Sequence, residues 1–213
     1  MARRYSTGTS TVIPDNVGNL DGRQDLRYNL LVKNVRGMNS EFPSVRPVLL
    51  IMGVLLVGRM TGAGESPGTR YADREYGYSL AAPAGWSRKS DMPRPYVAFL
   101  GPEDHGFQAN FNIYSEPAAN KTLADYVKVS RETIAKSKEM RLQSDRKATL
   151  GGSPAVVLQS LVTATGHPPS IARQIVTVRG GRGYIVTFTT RPAALKKYLP
   201  VFEKVQSSFR WQH

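Results

Sequence analysis

The residues whose types and spacing come nearest to a reactive site are Asp104 and His105, adjacent in a short polar segment. An imidazole beside a carboxylate can bind a metal ion or move a proton. Either activity needs further groups that converge on the pair, but the other histidines are His167, in a different loop, and His213, at the terminus. We therefore favour a solvated turn. We predict no catalytic, cofactor-binding or metal-ligating residue in this chain.

A glycine-rich segment, Gly180-Gly-Arg-Gly183, could cradle a phosphate with its backbone N–H groups. It lies between two apolar segments, however, which is typical of a hairpin turn that uses the conformational freedom of glycine. No Walker-type phosphate loop is present, and no nucleophile has an assignable base. Cysteine is absent, which excludes disulfides, thiol catalysis and Cys-ligated zinc. These features favour a protein that is not an enzyme and has no cofactor.

Trp86 has two interpretations. It can fill the core beside the first strand of the domain, or it can line a groove that binds a ligand, because aromatic side chains serve both purposes. We favour the core position and keep Trp86 as a candidate contact residue.

A group of basic residues is the best candidate for a contact surface. Such a group is most often the solvated face of a helix, but several of its members should project from one helix side. From it we select Lys128, Arg131 and Lys138 as candidate contact residues. The full group is Lys128, Arg131, Lys136, Lys138, Arg141, Arg146 and Lys147.

The net charge indicates the class of partner. The chain has 29 Lys and Arg residues against 16 Asp and Glu, a formal charge of +13. Eight of the basic and four of the acidic residues precede Gly64, so the remainder has 21 basic and 12 acidic residues, a net +9. We expect such a domain to associate with anionic phospholipids, polymers or proteins. Nucleic acid is not expected, since no clustered Lys/Arg run or reading motif occurs.

The first part of the chain has the character of an export leader. Residues 1–37 are polar and lack periodicity, which predicts disorder. The apolar run from Val48 to Gly58 is about half the roughly twenty residues of a membrane-crossing helix, and it fits the core of a secretory signal. We assign 38–63 to a signal peptide or uncleaved signal anchor and 64–75 to a linker, with Met38 as the expected start. A buried core helix or strand is the alternative for the apolar run.

Export follows from that assignment. We expect a periplasmic, extracytoplasmic or secreted protein, which associates with a membrane only if the leader stays uncleaved.

The working domain is predicted to begin with the stretch from Tyr76 to Trp86, in which Tyr76, Tyr78 and Leu80 alternate as in a half-buried strand. Two further segments, 96–100 and 107–114, should pair as a hairpin, with Gly101-Pro102 closing the first of them. Thr122 and Asp125 then form a capping-box-like start to a helix that should reach about Met140.

The second half of the domain predicts a strand meander and a closing helix. Segments 155–163, 171–178 and 184–190 are rich in β-branched and aromatic residues, and a weaker strand precedes them near 145–150. The last element, from Ala193 to about Ser208, has helical spacing, with a kink or a new helix start expected at Pro200. Strands grouped around two helices predict an α+β fold, an antiparallel sheet flanked by helices.

Six short segments stand in a characteristic order along the domain. They are Gly77-Tyr-Ser-Leu, Pro83-Ala-Gly-Trp86, Phe111-Asn-Ile-Tyr, Thr122-Leu-Ala-Asp-Tyr, Leu150-Gly-Gly-Ser-Pro-Ala155 and Phe202-Glu-Lys-Val-Gln-Ser-Ser-Phe209. This ordered set resembles the PsbP-like superfamily, which includes an extrinsic photosystem II subunit, its bacterial relatives and the Ran-binding Mog protein of yeast. The resemblance covers roughly residues 76–211 and implies an α-β-α sandwich, usually exported, that works by binding and not by catalysis.

Two hypotheses of function follow. In the first, the chain is an exported, non-enzymatic accessory module that contacts a partner protein or an anionic envelope component. In the second, it binds a small molecule or metal, or is an enzyme, in a groove near Trp86 and His105.

Overall fold

The computed structural model describes residues 69–212. The predicted extension 1–37, the predicted leader 38–63 and the start of the predicted linker lie outside this part. Its elements in chain order are β1 (Arg70–Asp73), β2 (Tyr78–Ala81), β3 (Ser87–Lys89), β4 (Val97–Asp104), β5 (Phe107–Pro117), α1 (Leu123–Lys136), β6 (Met140–Leu150), β7 (Ser153–Val162), β8 (Ser170–Arg179), β9 (Arg182–Thr190), α2 (Leu195–Ser208) and β10 (Arg210–Trp211).

Seven strands form a single antiparallel sheet in the order β3-β4-β5-β9-β8-β7-β6. Strands β6 to β9 follow one another as a meander, as the short glycine-rich joints predicted. Gly180 and Gly181 form the β8–β9 turn with φ of 55° and 72°, in the left-handed region that glycine enters without a steric penalty. The predicted α+β fold, an antiparallel sheet with helices, is confirmed.

Side chains on the two faces of this sheet belong to two separate hydrophobic clusters. Because neighbouring strand residues point to opposite faces, Val157 joins the cluster under α2 and Leu158 joins the cluster under α1. The α2 cluster is mainly aromatic: Phe188 lies 4.7 Å from Phe202 of α2, measured between ring centroids. The α1 cluster contains Tyr126 and Ile134 from the helix. The sheet is therefore the middle layer between the helices.

Helix α1 begins as its sequence predicts. The Thr122 side chain accepts a hydrogen bond from the Asp125 backbone at 3.2 Å, and the Asp125 carboxylate accepts one from the Thr122 backbone at 2.8 Å. The prediction of its end is wrong, because the helix stops at Lys136 and Met140 already belongs to β6.

Helix α2 runs from Leu195 to Ser208 with Pro200 inside it, so no new helix starts at the proline. Pro192, Ala193 and Ala194 form a separate 3₁₀ turn ahead of it. The helix is held by Tyr198, Phe202 and Val205, which are buried against the sheet. Packing of this face outweighs the bond that Pro200 cannot donate.

A second, three-stranded sheet has the order β1-β2-β10. The linker prediction fails at residues 70–73, because Arg70–Asp73 pair antiparallel with β2. The domain also closes at its other end here: the backbone N–H of Gln212 donates to the Gly77 carbonyl at 2.8 Å. Tyr78 of β2 stacks on Phe209, with ring centroids 5.3 Å apart. The two ends of the domain thus meet in one small sheet.

Gly101 and Pro102 were expected to end a strand, but β4 continues through them to Asp104. The pairing with β5 shifts register between Leu100 and Glu103, so the strand has a bulge at this point. A Cβ on Gly101 would lie 2.9 Å from Cε2 of Trp86. The glycine is therefore needed for close contact with the tryptophan ring and does not mark a strand end.

Candidate functional site

We first consider the α1 basic surface, defined as Lys128, Arg131 and Lys138, which the sequence analysis selected for partner contact. All three are exposed. Lys128 and Arg131 are three residues apart on the helix and so share a face. Lys138 follows the C-cap, Ser137, and is not part of the helix. The surface therefore extends past the helix end into the connection to β6.

The three residues differ in their ionic partners. The Arg131 guanidinium donates from Nε to Oδ2 of Asp145 at 2.8 Å and forms an ion pair with it through Nη2 at 2.6 Å. Within residues 69–212, neither Lys128 nor Lys138 forms an ion pair. Two exposed ammonium groups thus lie beside one guanidinium that is held by Asp145 of β6.

Trp86, the fourth candidate contact residue, does not belong to this surface. Its side chain is only 3% exposed and packs against Phe111, Tyr198 and Phe202, with ring centroids 5.8–6.3 Å apart. Trp86 is a core residue, which corresponds to the first of its two interpretations. A buried indole cannot line a groove open to a partner, so the contact role is withdrawn.

Asp104 is the last residue of β4, and His105 lies in the turn between β4 and β5. The His105 side chain is 86% exposed, and its Nε2 is 3.5 Å from Oδ1 of Asp104. Oδ2 of Asp104 accepts a hydrogen bond from Lys197 at 3.0 Å, which lowers the pKa of this carboxyl. Because Trp86 is buried and His105 is exposed, the two side chains do not line a common groove. Among the described residues, no group of three His, Asp or Glu side chains could hold a metal ion.

A groove that the sequence analysis missed lies on the opposite side of the sheet from α1. It has a volume of about 360 Å³ and is lined by residues of β6, the β6–β7 turn and α2, and by Arg210. Arg146, one member of the predicted basic group, lines it, together with Glu203 and Gln206. The Gln206 amide donates to the Thr149 carbonyl at 2.9 Å and so ties the helix to β6.

A buried arginine lies beside this groove. Arg173 of β8 is 6% exposed, and its Nη2 has no hydrogen-bond partner within the described part of the chain. Burial lowers its pKa, the charge of Arg146 lowers it further, and Glu203 raises it. The sequence contained a signal: Ile171, Arg173 and Ile175 share one strand face by the period of two, so an arginine stands where an apolar residue is expected.

Comparison with known proteins gives a fold and no closer relationship. No protein-family model and no curated protein matches the chain. A cyanobacterial PsbP, CyanoP of Synechocystis sp. PCC 6803, aligns with a TM-score of 0.54 and 21% identity, over 72% of this chain and 98% of its own. The described domain has the PsbP/Mog fold.

Two other solved structures share this PsbP/Mog fold. The Ran-binding protein Mog1p of Saccharomyces cerevisiae has a TM-score of 0.51 and 6% identity, over 69% of this chain and 96% of its own. LpqN of Mycobacterium tuberculosis, involved in cell envelope biogenesis, has a TM-score of 0.50 and 13% identity, over 70% of this chain and 87% of its own. The resemblance seen in the sequence is thus confirmed at the level of the fold.

The described helices also bear on membrane attachment. Neither α1 nor α2 is both long and apolar enough to cross a bilayer, and no other helix of that kind occurs in residues 69–212.

Proposed function

We propose that this chain is an exported, non-enzymatic binding module of the PsbP/Mog fold, which contacts a partner protein or an anionic envelope component through the α1 basic surface. The observation that carries the proposal is the exposure of Lys128 and Lys138 without an ionic partner in the described domain. Exposed cations attract an anionic partner over the range of the Debye length, about 8 Å at physiological salt.

Two other features support a binding role. One protein of the same fold is a Ran-binding protein and another is involved in cell envelope biogenesis. Asp104 is paired with Lys197, His105 is exposed, and no third His, Asp or Glu side chain of residues 69–212 joins them in a group that could hold a metal ion. Export is supported by the short apolar run from Val48 to Gly58 in the sequence.

Charge reversal on α1 tests the proposal. Arg131 is left unchanged, because a glutamate there would face Asp145 and disturb the helix–sheet contact. The test variant is therefore Lys128→Glu/Lys138→Glu. The control is Lys196→Glu/Lys204→Glu, which makes the same change in net charge on exposed residues of α2.

Anionic vesicles and an acidic polymer are the defined probes, used at low salt beside a pull-down from envelope extract. On whichever of these probes captures the wild-type protein, we expect much less of the α1 variant to be recovered, whereas the α2 control should be recovered like the wild type. Equal losses in the two variants would assign binding to net charge alone and would reject the α1 basic surface.

A further inference from the structure

We propose that the groove between β6 and α2 binds a phosphate monoester, with Arg146 and Arg210 as its exposed ligands and Arg173 as a buried counter-charge. This site is separate from the α1 basic surface and does not depend on the function proposed for that surface. Arg146 lies on the α2 side of β6, because its neighbours at even spacing, Ala148 and Leu150, belong to the cluster under α2.

The groove has an excess of positive charge. Arg146 and Arg210 line it against one carboxylate, Glu203, and the buried guanidinium of Arg173 lies within electrostatic reach of Arg146 and Glu203. None of these four groups forms an ion pair within the described residues. The excess of two positive charges matches a phosphate monoester, which carries about −1.5 to −2 near neutral pH. A carboxylate or a phosphodiester carries one negative charge and would neutralise only half of this excess.

Arg173 keeps a positive charge although it is buried. A guanidinium stays protonated in proteins, so its positive charge is retained even where burial lowers its pKa. A buried charge without an ion-pair partner costs free energy of folding. The Nη2 of Arg173, which lacks a hydrogen-bond partner in the described residues, adds to that cost. Arg173 also lies in electrostatic reach of Arg146 and Glu203, which both line the groove. An anion bound there would offset the part of this cost that the charge of Glu203 does not offset.

The guanidinium of Arg210 is held in place at the wall of the groove. Nη1 of Arg210 donates to the carbonyls of Ser207 and Phe209, each at 2.7 Å, which fixes this guanidinium and satisfies carbonyls at the end of α2. These bonds also offset the negative end of the helix dipole, which would otherwise repel an anion. The remaining nitrogens of the fork stay available, and arginine forks suit phosphate oxygens. The groove is open to solvent, and its volume of about 360 Å³ leaves room for a phosphate group.

Titration calorimetry of the full chain with inorganic phosphate, at pH 7.5 and constant ionic strength, measures the site. We expect Arg146→Ala to weaken binding by about tenfold to a hundredfold, the effect of one charge-assisted hydrogen bond. Lys147→Ala is the matched control, because Lys147 is adjacent and points to the other face of β6. It should change the affinity by less than about twofold. Equal effects of the two substitutions would overturn the proposal.

The substitution Arg173→Met tests the role of the buried arginine independently. Removal of an unpaired buried charge should leave the phosphate-free protein as stable as the wild type or more so, while the rise of Tm with phosphate is lost. A variant that keeps the full phosphate-dependent rise would contradict the role of Arg173. If this variant does not fold, the exposed Arg146→Ala still decides the question.

Vesicles distinguish the two sources of such a phosphate. A lipid ligand predicts binding to phosphatidate vesicles that exceeds binding to phosphatidylglycerol vesicles and is lost in Arg146→Ala. A soluble ligand predicts binding of inorganic phosphate without that preference. No binding of phosphate and equal binding to both vesicles would reject the site. Lys128→Glu/Lys138→Glu should retain phosphate binding, so failure of one proposal is separable from failure of the other.

Discussion

At the scale of single residues, the ion pair of Asp73 with Arg94 connects β1 to the loop before β4. Asp73 is 3% exposed, and its two carboxylate oxygens accept from Nη1 and Nη2 of Arg94 at 2.7 and 2.8 Å. The Tyr71 hydroxyl and the Tyr76 backbone N–H donate to it as well, each at 3.1 Å. Arg94 also pairs with Glu75, at 2.9 Å, but loss of the Asp73 carboxylate would leave the donors of Tyr71 and Tyr76 without their acceptor.

We therefore expect Asp73→Asn to lower the free energy of unfolding by about 3 kcal/mol, measured by denaturant titration. Asp91→Asn is the control, since Asp91 is 59% exposed and pairs only with Lys89 in the described domain. It should cost less than about 1 kcal/mol. Equal losses in the two variants would show that the buried pair adds nothing specific.

The same carboxyl predicts a pH dependence. Burial by itself would raise the pKa of Asp73, but the hydrogen bonds from Arg94, Tyr76 and Tyr71 outweigh it, so the pKa is lowered. A carboxyl with a depressed pKa in the folded state contributes stability above its unfolded pKa of about 3.9, and this is lost as the pH falls through the folded value. The wild type should thus lose stability below about pH 4. In Asp73→Asn that part of the acid transition should be smaller, and an unchanged acid curve would disprove the assignment.

The contact of Gly101 with Trp86 predicts a packing defect. A methyl group on Gly101 would meet Cε2 of Trp86 at 2.9 Å and the Ala109 carbonyl at 3.0 Å. We expect Gly101→Ala to destabilise the protein by about 1–3 kcal/mol. A double-mutant cycle with Trp86→Phe should show favourable coupling, because the smaller ring makes room. Additive effects would mean that the ring does not limit this position.

At the scale of elements, the N-terminus of α1 tests the local rules by which the sequence was interpreted. Thr122→Ala removes the capping side chain and should cost about 1 kcal/mol of stability. Thr133→Ala is the control within the same helix. Its hydroxyl only bonds back to the Val129 carbonyl, at 2.9 Å, so the change should stay within about 0.5 kcal/mol. A larger loss at position 133 than at 122 would contradict the capping assignment.

The elements that could be predicted are those with strong local signals. The period of 3.6 in α1, the period of two in β5 and the glycine turn at 180–181 each reflect a nearby cause. Two missed strands are very short. β1 has four residues and pairs with the neighbouring β2, whereas β10 has two residues and pairs with β2 from the other end of the domain. Their residues alone carry too little pattern to predict them.

The site was predictable to a smaller extent than the fold. Exposure of Lys128 and Arg131 followed from helical spacing, but the pairing of Arg131 with Asp145 required knowledge of how β6 lies against α1. Trp86 could not be assigned to the core or to a groove without the position of α2. The groove that contains Arg146 joins β6 and α2, which are about fifty residues apart, so no local motif indicates it.

At the scale of the whole described domain, residues 69–212 form a seven-stranded sheet between two helices, and the two ends of this domain close into a small second sheet. This arrangement leaves both a helix face and a sheet–helix groove with basic side chains. We propose the helix face as the contact surface for a larger partner and the groove as a site for a small anion. Both fit a domain with a strong excess of Lys and Arg.

The absence of a metal role is testable on the whole protein. Titration with zinc, calcium and manganese should give a flat calorimetric trace, because His105 is exposed and no third ligand converges on it within residues 69–212. A binding isotherm that His105→Ala abolishes would revive the alternative of a metal site in the β4–β5 turn.

The most direct measurement is site-specific photo-crosslinking in cells, with the reactive side chain placed at position 128 on α1 or at position 196 on α2. We expect a discrete crosslinked product from position 128 that is absent from position 196. In the presence of Lys138→Glu, this product should weaken. The same products from both positions, or a product from 196 alone, would contradict a contact surface on α1.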